Sequence, residues 1–197
     1  MSLEPATLEG RFVRLEPLQL HHANDLYEAS QDQRIWAYMP LNPSGSLEAM
    51  NALIENALRE QQKGTLLPFA IVDSATGRAV GSTRYLDIRL ADRGLEIGWT
   101  WLTPTVQRTG VNTECKYLLL RHAFESLHMI RVQLKTDSRN LKSQQAIERI
   151  GGKREGVLRN HMILPNSYIR HSVYYSIIDS EWPDVKAILE EKMTAYL

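Results

Sequence analysis

Residues 95 to 127 read Leu95-Glu96-Ile97-Gly98-Trp99-Thr100-Trp101-Leu102, then Thr103-Pro104, then the turn Gln107-Arg108-Thr109-Gly110-Val111-Asn112, then a run carrying Cys115, Leu118, Leu119, Leu120, Ala123, Phe124 and Leu127. The first eight residues are bulky and aromatic and stop at a proline, which predicts a strand. In the last run the apolar positions cover most of a helical circumference, so that helix should be buried, with Asn112 or Thr113 as its N-cap. Strand, short glycine-containing turn and buried helix together aim unpaired backbone N–H groups and the positive end of a helix dipole at one small volume. That volume suits a phosphate. Gly110 permits close backbone approach or a positive φ, and Arg108 adds a side-chain cation. The same order of elements occurs in ordinary strand-to-helix connections, so the turn alone does not decide the ligand.

Composition narrows the classes. The chain has 197 residues, 43% hydrophobic and 23% charged, which is ordinary for one globular domain spanning 1–197 with a sizeable core. Lys+Arg and Asp+Glu both number 23, so no global field favours nucleic acid or an anionic membrane, and any anion site must be local. A single cysteine, Cys115, excludes an internal disulfide and a cysteine-based zinc site, and no metal is expected. Residues 1 to 5 carry no basic start, and no apolar run approaches the roughly 18 residues of a membrane span. A soluble, cytoplasmic protein is expected.

Outward from the central stretch, Gly10 to Pro17 alternates as a half-buried strand. His21 to Ser30 predicts a short helix with Ala23, Leu26 and Tyr27 inward. Gln31 to Gly45 is irregular yet holds Trp36, Tyr38, Met39 and Leu41, apolar surface that would suit either a substrate pocket or a loop folded on the core. Ser46 caps a helix with Met50, Leu53, Ile54, Ala57 and Leu58 at helical spacing, ending near Gly64. Leu67 to Val72, Ala79 to Ile88 and the strand at Leu95 form an antiparallel meander through turns at Asp73-Ser74-Ala75-Thr76-Gly77 and Ala91-Asp92-Arg93-Gly94. Ile130 to Thr136 alternates as a strand. Asn140 to Ile150 predicts a helix with Ala146, Ile147 and Ile150 inward, closed by Gly151-Gly152. Arg154 to Leu164 and Tyr168 to Ile178 predict a long hairpin turning at Pro165-Asn166-Ser167. Ser180 and Pro183 start a last helix with Val185, Ile188, Leu189, Met193 and Tyr196 on one side. The order implies an α+β (mixed α/β) domain whose buried helix crosses between strands that can be parallel.

The succession of strand, Gln107-x-x-Gly110-x-Asn112, buried helix, strand, Asn140-x-x-Ser143, short helix, Gly151-Gly152 and Glu155-Gly156-Val157-Leu158-Arg159 resembles the GNAT superfamily of N-acetyltransferases. Within it the likeness is to the RimJ/RimL-type branch, which includes ribosomal-protein N-terminal acetyltransferases. It extends from Leu8-Glu9-Gly10-Arg11-Phe12-Val13-Arg14-Leu15 to Glu181-Trp182-Pro183. The resemblance implies a central mixed, mostly antiparallel sheet flanked by helices, with one splayed pair of strands. It implies an enzyme moving the acetyl group of acetyl-CoA to a primary amine. By the same likeness, backbone groups near Trp101 and Leu102 pair with pantetheine, Gln107, Arg108, Thr109, Gly110, Val111, Asn112 and Thr113 surround the pyrophosphate, and Asn140 hydrogen-bonds the pantetheine. Asn112 departs from the small residue usual at its position.

The chemistry sets its own demands. An amine of pKa about 8 (α-amine) or about 10.4 (lysine) must lose a proton before it attacks, and charge then develops on the carbonyl oxygen and the leaving sulfur. Much of the rate gain would come from holding two substrates together. Glu96 is the first candidate base, through a water; a salt-bridged strand carboxylate is its structural alternative. His161 and His171 are rivals by their ordinary pKa. Where the general family pattern has an acidic tyrosine this chain has Ile147, and Ser143 matches the serine that the RimL-like branch uses toward the thiolate, with Tyr174 and Tyr175 as further donors. Lys116, Arg139 and Lys142 are candidates for a ribose phosphate. Trp36, Tyr38, Met39 and Arg84 are candidates for the acceptor pocket. The acceptor is a peptide amine or a small molecule such as an antibiotic or polyamine; the competing class is a non-catalytic acyl-CoA-binding module. A homodimer through the 154–178 hairpin or the last helix is open.

Overall fold

A computed structural model describes residues 3–165 and 167–196. Asn166, the middle of the expected hairpin turn, lies outside them. Eight strands form one sheet: β1 (Leu8–Glu9), β2 (Val13–Pro17), β3 (Leu66–Asp73), β4 (Ala79–Arg89), β5 (Gly94–Leu102), β6 (Arg131–Asp137), β7 (Lys153–Ile163) and β8 (Ile169–Ile178), in the order β1-β2-β3-β4-β5-β6-β8-β7. Every neighbouring pair is antiparallel except β5 and β6, which are parallel. The crossover between them is α3 (Gly110–Arg121), continued by a π-helical turn at His122–Ser126. A parallel pair requires such a crossover, and here it is the helix whose apolar residues left no face for solvent.

The helices α1 (Ala23–Ala29) and α2 (Leu47–Gln62) cover one face of β2 to β4; α3, α4 (Leu141–Arg149) and α5 (Trp182–Thr194) cover the other. The larger core joins Val13, Leu15, Phe69, Ile71, Tyr85, Leu95 and Ile97 of the sheet to Cys115, Leu118 and Leu119 of α3. The smaller one packs Met50, Ile54 and Ala57 of α2 on Ala70, Val72 and Trp101. Ser46 caps α2 as its sequence suggests, its hydroxyl accepting from the Ala49 N–H at 3.1 Å. On α5 the inward side is Trp182, Val185 and Leu189, whereas Ile188 is 43% exposed. Among the described residues, no helix is long and apolar enough to cross a membrane.

Two buried charges had no sequence signature. Glu114 of α3 is 6% exposed, and its carboxylate accepts the N–H groups of Arg11 and Val13, each at 2.8 Å, and of Phe12 at 2.5 Å. It thereby ties the turn before β2 to the crossover helix, close enough that a Cβ on Gly10 would meet its carboxyl at 2.6 Å. Lys116 is equally buried, its ammonium donating to Thr100 Oγ1 at 2.7 Å, and burial lowers its pKa.

Candidate active site

The parallel ladder between β5 and β6 runs only from Gly94 opposite Arg131 to Glu96 opposite Gln133. Beyond Glu96 the strands part, so the remainder of β5 toward Leu102 is not laddered to β6. A bulge accompanies the parting. Ser82 faces Trp101 while Arg84 faces Gly98, so β5 carries one extra residue, and Trp99 takes the left-handed conformation there with φ 51°. Gly81, opposite Leu102, is obligatory: a Cβ would come 2.1 Å from the Trp101 carbonyl oxygen.

At the far end of β5, Thr109 rather than Asn112 or Thr113 caps α3. Its hydroxyl accepts from the Val111 N–H at 3.3 Å and donates to the Val106 carbonyl at 2.7 Å. The helix therefore begins at Gly110, whose role is close approach. A Cβ there would meet the Phe12 ring at 2.8 Å, and the positive φ of the turn belongs to exposed Arg108, at 64°. A helix opening at Gly110 leaves the Gly110 and Asn112 amides without intrahelical acceptors. Thr113 is fully buried and its hydroxyl accepts from Arg149 of α4 at 2.6 Å, which makes it an anchor between helices instead of a cap.

The start of α4 lies beside this turn, since the Lys142 ammonium donates to Gln107 Oε1 at 2.8 Å while Gln107 Nε2 donates to the Leu102 carbonyl at 3.1 Å. Asn140 caps α4, its Oδ1 accepting from the Ser143 N–H at 3.0 Å. That leaves the Asn140 amide N–H₂ and the Ser143 hydroxyl to act elsewhere. Of the other cations considered for a phosphate, Lys116 is committed to Thr100, and Arg139 pairs with Asp137 at 2.9 Å with its guanidinium over the rings of Tyr38 and Tyr168.

On the α1–α2 side of the sheet a polar band crosses β5, β6, β8 and β7. Glu96 is 1% exposed, and its Oε2 accepts from Gln133 Nε2 at 2.8 Å and from the Lys135 ammonium at 3.0 Å. Oε1 lies over Gly98, 3.0 Å from where a Cβ would stand. Lys135 sits 5.8 Å from the centre of the Tyr174 ring, the Tyr174 hydroxyl meets His161 Nε2 at 3.2 Å, and His161 Nδ1 meets Ser172 Oγ at 3.0 Å. Burial first, then the charges of Lys135 and Arg170, lower the His161 pKa against an opposing pull from Glu96. His161 reaches the band because β7 carries extra residues between Leu158 and Met162, with Asn160 left-handed at φ 50°. His171 instead accepts the Asn160 N–H at 2.8 Å through Nδ1.

The remaining candidates separate by face. Tyr175 points into the α3 side, where its hydroxyl donates to Glu148 at 3.0 Å and burial pushes its pKa to about 12. Ile147 is core. Cys115 is fully buried, with its thiol pushed up to about 11 by burial, and is packing rather than chemistry. Trp36 is buried too: its indole N–H donates to the Ser30 carbonyl at 2.8 Å and its ring lies 5.1 Å from that of Trp101. It floors the region and does not line it. Tyr38 and Met39 are half-buried at its edge, and Arg84 stands on β4 opposite Gly98, its guanidinium 4.6 Å over the Trp99 ring.

Glu16, His21 and His22 place three donor atoms within 4.8 Å of one another. Glu16 and His22 are otherwise engaged. His22 Nδ1 accepts the Gln19 N–H at 3.1 Å, which puts the ring proton on Nε2, where it faces Glu16 Oε2 at 3.1 Å, and Glu16 also takes Arg14. A metal on Nε2 would require the opposite tautomer.

A sheet parted at one parallel pair, with a helix N-terminus and an asparagine-capped helix at the wide end, is the architecture of an acyl-transferring enzyme. Residues 13–153 match the family described as Acetyltransferase (GNAT) domain. The ribosomal-protein-serine acetyltransferase of Escherichia coli (strain K12) is 26% identical over 174 residues, 84% of this chain and 96% of that protein. A GCN5-related N-acetyltransferase from Brucella melitensis superposes with a TM-score of 0.92 at 28% identity, over 98% of this chain and 87% of the other. Mycobacterium smegmatis RimJ, solved in complex with CoA-disulfide, shares the fold at 19% identity and a TM-score of 0.83, with 95% of each chain covered. The chain belongs to the GNAT family of acetyltransferases.

Proposed function

We propose that this chain transfers the acetyl group of acetyl-CoA directly to a primary amine within a ternary complex, and that the acceptor is the N-terminal amine of a protein or peptide. The carrying observation is the parting of β5 from β6 immediately after Glu96, which sets a buried carboxylate at the apex of a cleft whose wide end is the α3 N-terminus. The similarity to a ribosomal-protein-serine acetyltransferase supports a protein acceptor.

Acetyl-CoA supplies the acyl group as a thioester. Glu96 takes a proton from the ammonium form of the acceptor through a water at Oε1, the oxygen not held by Gln133 and Lys135. The free amine attacks the carbonyl carbon, the carbon–sulfur bond breaks, and the proton that the new amide nitrogen sheds passes through the Ser143 hydroxyl to the departing thiolate, which leaves as the thiol. Backbone N–H groups of β5 beyond Glu96 face the developing oxyanion. The amides of Gly110 and Asn112, with Arg108, hold the pyrophosphate, and the Asn140 side-chain N–H₂ holds the pantetheine. His161, whose pKa burial lowers, is the alternative base.

The test is to offer acetyl-CoA with peptides, ribosomal proteins, polyamines and aminoglycosides and to follow free thiol. Turnover with N-terminal amines that collapses in Glu96→Gln while calorimetric uptake of CoA persists supports the proposal. Uptake of CoA without turnover on any amine would instead mark an acyl-CoA-binding module, and turnover on small amines alone would move the acceptor class.

A further inference from the structure

Arg84 carries a feature that the transfer reaction does not use. It is 6% exposed, its Nε is fully buried without a hydrogen-bond partner, and among the described residues no carboxylate lies within ion-pair distance of its guanidinium. Its contact is the face of Trp99, held under it by the left-handed bulge of β5. A buried guanidinium without an anion is costly unless a ligand completes it. The register fixes what such a ligand would also touch. Arg84 faces Gly98, Leu86 faces Glu96, and both pairs project from the α1–α2 side, so Arg84 is the diagonal neighbour of Glu96 across β4 and β5. Gly98 adds no side chain of its own between them, where Glu96 Oε1 and Leu86 Cδ2 each lie 3.0 Å from where a Cβ would stand. The wider band has the same sign. Lys135 is matched by Glu96 and Arg139 by Asp137, but Arg170, 7% exposed, is in no ion pair among the described residues: it donates to Ser172 at 3.0 Å and to the Tyr38 carbonyl at 3.5 Å and feels Asp137 and Glu96 from a distance. Among the described residues, Arg84 and Arg170 are thus two guanidiniums of this face held in no ion pair.

We propose that Arg84 is a specificity-determining residue that binds a carboxylate carried by the acceptor close to its reacting amine, as in a peptide with aspartate or glutamate among its first residues. The inference rests on the assignment of Glu96 to the amine. A free amino acid offers the same carboxylate chemistry, and a peptide blocked at its C-terminus separates the two sources.

The experiment uses the full chain with CoA and C-terminally amidated peptides that differ only by Asp or Asn next to the N-terminal residue. Binding is read by calorimetry with CoA present, and kcat/KM by thiol release with acetyl-CoA. At least a tenfold preference for the Asp peptide is expected, residing in KM and Kd, falling toward unity in Arg84→Met and partly kept in Arg84→Lys. Arg84→Met is expected to melt no lower than the native chain, because it removes an unpaired charge; a clear loss of Tm, rescued by lysine without any change in preference, would make Arg84 structural and overturn the proposal. Equal binding of Asp and Asn peptides to the native chain would also overturn it, and a preference confined to free amino acids would assign the subsite to a small acceptor. The binding readout stands even if no amine is turned over, a result that would count against the transfer reaction and not against the subsite.

Discussion

Glu96 and Lys135 form a 3.0 Å ion pair across two parallel strands that have just separated, with Glu96 on the last laddered position of β5 and Lys135 two residues past the matching position of β6. The pair spans the narrow end of the cleft. It fixes one carboxylate oxygen and leaves the other over Gly98. Glu96→Gln is expected to lower kcat by about a hundredfold or more, as for removal of a general base, with CoA affinity unchanged. Lys135→Met strands a buried carboxylate and is expected to cost about 2 kcal/mol in denaturant unfolding, below the figure for fully buried pairs because the ammonium is partly solvated.

The turn before α3 separates strain from binding. Arg108 is non-glycine at φ 64°, so Arg108→Gly is expected to raise stability by about 1 kcal/mol while weakening CoA binding and flattening its salt dependence. Thr109→Ala removes the cap and is expected to cost about 1 kcal/mol. Calorimetry at two salt concentrations, alongside urea unfolding, reads both variants.

Gly81→Ala drives a Cβ into the Trp101 carbonyl, a backbone atom that cannot swing aside, and is expected to cost about 2 kcal/mol or more and to loosen the end of β5. Gly156→Ala, with nothing within 4 Å, is the control and should change the midpoint little. Equal effects of the two substitutions would show that β4 and β5 are not so tightly apposed.

His161 ties stability to pH. Its folded pKa lies below the ordinary value near 6.5, chiefly through burial, so the unfolded chain binds a proton there that the folded chain refuses. The resulting stability is present above about pH 6.5 and drains as the pH falls toward the folded value. His122, shifted down by burial, acts in the same direction. The urea midpoint is expected to drop between pH 7 and pH 5, less steeply in His161→Gln; an identical slope in that variant would sink the assignment.

Much of this fold could be read from local pattern. The meander, the buried crossover helix, the Ser46 cap and the long final hairpin announce themselves through alternation, circumference and turn residues, because each is decided within a few positions. The start of α3 could not be read so. Gly110 looks like loop, and only the Phe12 ring, some hundred residues away, shows why a glycine opens a helix there. Glu114 and Lys116 look like surface charges, and their partners on β2 and β5 make them interior. Ile188 erred the other way and is turned outward, while Trp36 follows the second of its two readings, a loop folded on the core. The site was legible as loop and carboxylate; the polar band was not, because His161 joins it only through the irregularity of β7 at Asn160.

Among the described residues, the main chains of the five-stranded and three-stranded leaves meet at three ladder positions and at the Ile130 N–H to Arg93 carbonyl bond beside them. Whatever wedges into the gap must therefore supply the missing main-chain bonds, and so acts as a ninth, borrowed strand. Loading the cleft is then an act of mechanical completion: amide protons of β5 past Glu96 should turn from exchanging freely to being shielded, and the molecule should stiffen as it fills.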